Sequence, residues 1–204
     1  MRVFYLLAIV FVVDGHTTNG HLFEMNGLFR YYAFHLMMFA FGSGYFFKLY
    51  GGACSDLAHR AKKLLVPLYL WNVVYGVGAA LLRRFGGFEL GEPISAYTLL
   101  LAPLTDGQHF VWNLGAWFIF PLFFAQVFYA GIRRLSVRWH ENEVMTFLLC
   151  LIPGCAAVQL CFSGRQEALP LFLLRPMILL PGFAGGQLYR RVLEKRDRLP
   201  TVPY

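Results

Sequence analysis

Charge is scarce in this chain. Eighteen Lys and Arg with eleven Asp and Glu make up 14% of 204 residues, where soluble domains usually carry about 25%. A disordered segment needs more polarity than this, and a water-soluble globule needs more charged surface. Cysteine is also sparse: Cys54, Cys150, Cys155 and Cys161 are the only four. No CxxC and no Cys/His metal spacing occurs among them, which excludes a disulfide scaffold and a structural zinc site and predicts no metal. They read as small polarizable core residues. No connection between apolar runs is long enough for a soluble domain; the longest covers residues 83–109. The first apolar run lacks a small-residue cleavage site and ends in Asp14-Gly15-His16-Thr17. It therefore reads as a mature helix and not as a signal peptide.

Apolar side chains are what the chain has in abundance. They make up 58% of it, and Phe alone contributes 21 residues. A fold of this length keeps much of its surface outside any core, so most of that apolar area needs lipid as its solvent. A spanning helix takes about 20 mostly apolar residues. Six runs qualify, at 3–19, 31–47, 64–82, 110–132, 144–162 and 168–189. The expected fold is an all-α polytopic membrane bundle of about six helices, with residues 1–204 as a single membrane domain.

The basic residues orient it. With the N-terminus in the cytoplasm, the inner segments hold Arg2, then Lys48, Arg60, Lys62 and Lys63, then Arg133, Arg134 and Arg138, then Arg190, Arg191, Lys195, Arg196 and Arg198. The outer segments hold only Arg30, Arg83, Arg84 and Arg165. Lys and Arg resist translocation, so this alternation predicts six crossings with both ends cytoplasmic. It also accounts for the formal charge of +7 without a nucleic-acid partner; the expected surroundings are membrane lipid.

Ionisable groups inside spans are costly and tend to face a bundle interior or a wet cavity. Asp14, His16, His35 and Arg175 are the cases here. At 1.5 Å per residue, His16 lies roughly 20 Å and His35 roughly 18 Å from the cytoplasmic edge. Two imidazoles on antiparallel neighbours thus reach similar depth. Imidazole, with an unperturbed pKa of roughly 6.5, takes and returns protons near neutrality. The alternative is a helix–helix hydrogen bond from each. Asp14 reads either as a head-group residue or as a partner for His35 or His21. Gly42-Ser43-Gly44 allows a close approach by another backbone or by a slim ligand, and Gly182–Gly186 has the small-xxx-small spacing of helix packing. Arg60, Lys62 and Lys63, in the connection ahead of the third span, suit either a phosphorylated cofactor or anionic lipid. Asn113 and Trp117 either line a cavity or pack.

These residues resemble the acyltransferase-3 family, particularly its fucose 4-O-acetylase-like branch. That family ends its first helix in Gly-His-Ser/Thr, as in Gly15-His16-Thr17. Its second helix reads Phe-His-x-Pro-Leu-Phe-Phe-Phe-x-Ser-Gly-Tyr. Here the run is Phe34-His35-Leu36-Met37-Met38-Phe39-Ala40-Phe41-Gly42-Ser43-Gly44-Tyr45, with the His-to-Ser spacing kept. The family's Arg-x-x-Arg/Lys-Leu-Leu-x-Pro is matched by Arg60-Ala61-Lys62-Lys63-Leu64-Leu65-Val66-Pro67, and its Leu-Trp-Phe-Leu helix by Ala116-Trp117-Phe118-Ile119. The chain departs from the pattern at Tyr5, where an Arg is common, at Met37, where the family has Pro, and in having fewer spans than most members.

The resemblance implies an enzyme of the bacterial inner membrane. It would transfer an acyl group, usually acetyl, from acetyl-CoA or another acyl-CoA to a hydroxyl of a glycan or lipid-linked sugar. His16 and His35 would be catalytic, and Arg60, Lys63 and Ser43 would bind the donor. An oligomer or a missing C-terminal half would supply the absent spans. A non-enzymatic transporter subunit or scaffold, and a truncated inactive homologue, remain the other readings.

Overall fold

The computed structural model describes residues 2–15, 35–87, 92–105, 117–139 and 142–194. All regular structure among them is helical, and no strand occurs among the described residues. The order is α1 (Arg2–Gly15), α2 (His35–Tyr45), α3 (Ala53–Gly86), a π-helical turn (Tyr97–Leu101) leading into α4 (Ala102–Thr105), α5 (Ile119–Trp139), α6 (Glu143–Phe162) and α7 (Leu171–Leu188), which continues as a second π-turn over Tyr189–Leu193. Each of the six apolar runs contains a described helix. Among the described residues, three helices have the length and apolarity of a membrane span: Ala53–Gly86, Glu143–Phe162 and Leu171–Leu193. Helices suit lipid because every interior backbone donor and acceptor is satisfied within the segment.

The distribution of side chains is that of a protein dissolved in hydrocarbon. Leu70 is 64% exposed and Ile152 67%. Asp56, Arg60, Asn72, Thr98, Arg133, Ser136, Thr146 and Gln187 are buried. In water the first set would cost roughly 1.5–3 kcal/mol for each large residue left exposed. In lipid it costs little, and the polar groups are the ones that must find partners inside. The chain is an integral membrane protein.

The third helix differs from the expectation. It starts at Ala53 rather than at Leu64, so the basic segment read as a connection is helical. The reason is local: Asp56 and Arg60 stand four residues apart and form an ion pair of 2.6 Å, a spacing that supports a helix. Pro67 lies inside it without ending it, as proline does in membrane helices. The cysteines differ too. Cys150 is buried, but Cys54, Cys155 and Cys161 are exposed and all four are free. Three of them face outward from the fold and are not core residues.

Two compact units can be distinguished. The first holds Met1–Lys48, Phe128–Cys155 and Leu179–Tyr204. Within it, the start of α1 packs on the end of α2, as antiparallel neighbours do: Phe4 meets Phe41 at 5.6 Å and Tyr5 meets Phe46 at 6.0 Å between ring centroids. Helices α2 and α7 touch backbone to backbone. A Cβ added to Gly44 would fall on the carbonyl of Phe183, and one added to Gly186 would fall on the carbonyl of Phe41. The small-residue spacing over 182–186 therefore serves packing, as expected. Phe47, Tyr129 and Phe183 close this core as three buried rings with centroids 5.0–5.3 Å apart.

The second unit holds Leu49–Val127 and Ala156–Ile178. Its core pairs Leu68 of α3 with Phe120 of α5, flanked by Leu65, Tyr69, Leu104 and Phe124. The first π-turn is tied to α3 by polar groups. Asn72 Nδ2 donates to the carbonyls of Thr98 and Leu99 at 3.3 and 3.0 Å, and the Tyr69 hydroxyl donates to Leu100 O at 3.0 Å. Asn72 would be costly in an apolar span, and these backbone carbonyls satisfy its amide.

Candidate functional site

His16 lies outside the described residues, as do His21 and Asn113. His35 is the first residue of α2 and is partly buried. Asp14, near the end of α1, is only 4% exposed. Its carboxylate is thus shielded by other groups of the fold.

Ser43 is half-buried on α2. The hydroxyl of Tyr5 on α1 faces its side chain, and the ring of Tyr5 covers Gly42. Tyr5 stands where the resembled family commonly has arginine, so the departure at this position places a phenol against Ser43. Gly44 does not line an open channel, because the α7 backbone occupies its face.

A polar chain of contacts fixes the end of α2. Gln187, 1% exposed, donates from Nε2 to the carbonyls of Gly44 and Phe47 at 2.6 and 2.9 Å. Arg190 Nη1 donates to Tyr45 O at 2.9 Å, a cation at a helix C-terminus, where the dipole favours it. The Tyr45 hydroxyl donates to Glu194. Arg191 Nε donates to Gln187 Oε1 at 2.9 Å and its Nη1 to Glu143 at 2.8 Å. Glu143 also pairs with Arg133 at 2.6 Å. Three helices thus brace the segment carrying Ser43.

Sequence reasoning singled out neither Gln187 nor Glu143. The available signal was Gln187 as the one amide in an apolar run. Changing Gln187 to Leu should cost about 1–3 kcal/mol, because two buried carbonyls lose their donor. Thermal unfolding in detergent would show a lowered midpoint; an unchanged midpoint would mean that other donors serve those carbonyls.

In the second unit, Arg60 is 5% exposed. It pairs with Asp56 and donates from Nη1 to Gln126 Oε1 at 3.0 Å. Lys63 is exposed on the same helix. The two basic positions of the motif are thus unequal: one is locked into the fold and the other is available to a solute. Arg175 on α7 lies over Trp117 with 4.8 Å from guanidinium carbon to ring centroid. Pro103, Phe120, Phe124 and Phe172 complete a small cleft around the pair. Among the described residues, no group of three or more His, Cys, Asp or Glu could hold a metal ion.

A known family of acyltransferase domains matches this chain over residues 6–202. No curated protein and no solved structure matches it.

Proposed function

Because this chain belongs to the acyltransferase-3 family, we propose that it carries an acyl group, acetyl by preference, from a cytosolic acyl-CoA to a sugar hydroxyl of an envelope or exported glycan. The membrane in question would be the bacterial plasma membrane. What supports the reading is that the match spans nearly the whole chain and includes His16, His35, Ser43, Arg60 and Lys63.

The reaction needs a base where the acceptor hydroxyl meets the thioester. One imidazole removes the proton from the sugar O–H as that oxygen attacks the thioester carbonyl carbon. The tetrahedral intermediate collapses, the C–S bond breaks, and the imidazolium returns its proton to the departing thiolate. The products are the sugar ester and free CoA thiol. The second imidazole orients the acceptor or donates to the oxyanion. Lys63 binds a donor phosphate, Arg60 holds the helix that presents it, and Ser43 contacts the thioester arm.

The test is direct. Purified protein in nanodiscs should move isotope-labelled acetyl from acetyl-CoA to a sugar acceptor, and deleting the gene should remove an ester from surface glycans by mass spectrometry. Changing Lys63 to Ala should raise the KM for acyl-CoA several-fold with little change in kcat. No ester under either condition would reject the proposal, and an unmoved KM would return Lys63 to the topogenic charges.

A further inference from the structure

A groove of about 660 Å³ runs along one face of α3 and, among the described residues, is lined by that helix alone. It begins at Ala58 and Lys62 and ends at Val73, with Leu65, Val66, Tyr69 and Leu70 between them. These positions recur every three or four residues and so share one side of the helix. Tyr69 turns its hydroxyl to Leu100 O, which leaves its ring to the groove. The result is one charge at one end and apolar walls beyond it. The groove is open along its side, as a site filled from the bilayer must be. The charges of α3 set its depth. Lys62 and Arg84 stand roughly 33 Å apart at helical rise, close to the hydrocarbon thickness of about 30 Å. Lys62 therefore lies at one interface. Val73 lies roughly 16 Å further along, about half of that thickness. The groove thus runs from head-group level to the mid-plane, the depth of one leaflet.

From this geometry we infer that the face of α3 from Ala58 to Val73 is a binding site for one anionic phospholipid. Its phosphate rests on Lys62, and an acyl chain lies along Leu65, Val66, Leu70 and Val73. Ala58, with a single methyl group, leaves room for the head group on the water side of Lys62. A lysine attracts an anionic head group at the membrane surface, and the apolar walls below it match a hydrocarbon tail. A second copy of the chain suits the groove less well. A two-fold axis along the membrane normal places the same patch of each copy against itself, which would bring the two Lys62 ammonium groups together. Lys63 is exposed at the same depth, but it points about 100° away round the helix and lies outside the groove. The inference stands apart from the acyl-transfer reading and holds whatever reaction the protein performs.

The experiment uses the full chain in phosphatidylcholine nanodiscs. These carry a trace of either photoactivatable phosphatidylglycerol or photoactivatable phosphatidylcholine, with the reactive group on an acyl chain. Crosslinked peptides are mapped by mass spectrometry. Phosphatidylglycerol should label residues 65–73 about fivefold more than phosphatidylcholine, the ratio that one lysine's attraction for an anionic head group provides. Lys62→Gln should bring that ratio to about one, and Lys62→Arg should keep it. Lys63→Gln removes the same charge at the same depth and should leave the ratio unchanged. Val66→Trp fills the groove without touching its charge and should reduce labelling by both lipids. Lys62 and Val66 are both exposed, so neither side chain is needed for the fold, and gel filtration verifies each variant. Equal labelling of the unaltered protein by the two lipids overturns the inference. So does an equal loss of preference in Lys62→Gln and Lys63→Gln, which would make the attraction one of general charge. Crosslinking of this face to another copy of the chain would overturn it in favour of an oligomer.

Discussion

Changing His35 to alanine should lower acyl transfer by about 100-fold to 10,000-fold, the range over which a positioned acid or base contributes. The protein should still insert and fold. His35 is the first residue of α2, and alanine there is the better helix former. His16→Ala should fall by a similar factor if the two imidazoles divide the roles of base and orienter. The measurement is transfer of labelled acetyl by each variant at matched levels of folded protein. Full activity in His35→Ala would make that histidine structural. Loss of folded protein along with activity would do the same, since a base acts on chemistry alone. Asp14 supplies an intermediate case: it is buried at the end of α1, and Asp14→Asn should reduce kcat more than stability if it orients an imidazole.

The largest expected effect on stability comes from a single methyl group. Gly44→Ala places a Cβ on the carbonyl of Phe183, and its carbon lies 2.7 Å from the new atom. Both partners are backbone, so no side chain can turn aside. Helices α2 and α7 must separate, and the hydrogen bonds from Gln187 to Gly44 and Phe47 stretch with them. Overpacking of this kind costs about 3 kcal/mol. An unobstructed helical glycine would give the opposite sign, a gain of about 0.5–1 kcal/mol. Gly131 provides that control, because a Cβ there meets nothing within 4 Å. Gly44→Ala should therefore lower the unfolding midpoint in detergent, and Gly131→Ala should hold or raise it. Equal midpoints for the two would show that the helices are not in backbone contact.

Much of the fold was legible because lipid imposes a simple code. A long apolar run without charge must become a helix, and all six expected runs contain one. The glycines at 182–186 were readable as packing because of their small-xxx-small spacing, whereas those at 42 and 44 suited either a backbone or a slim ligand until α7 was seen against them. The start of α3 was not legible. Asp56 and Arg60 look like loop residues until one sees that each neutralises the other in a buried pair. Arg60 likewise reads as a free cation from sequence, because its partner Gln126 is 66 positions away. Gln187 and Glu143 were passed over since their partners come from other helices, and no window along one helix contains them. The pairing of Arg175 with Trp117 was hidden in the same way. Composition identified an expensive charge, and only the fold brought the ring beneath it.

The extent of α3 has its own consequence. Its 34 residues measure roughly 51 Å at helical rise, against a hydrocarbon layer of about 30 Å. Tilt alone does not absorb such an excess at the usual inclination of about 20°. The excess must lie beyond the hydrocarbon, and the exposed charges near the two ends of the helix, Lys62 and Lys63 towards one and Arg84 at the other, are side chains that seek water. Thicker bilayers should draw those ends inward, and thinner ones should leave more of them in water.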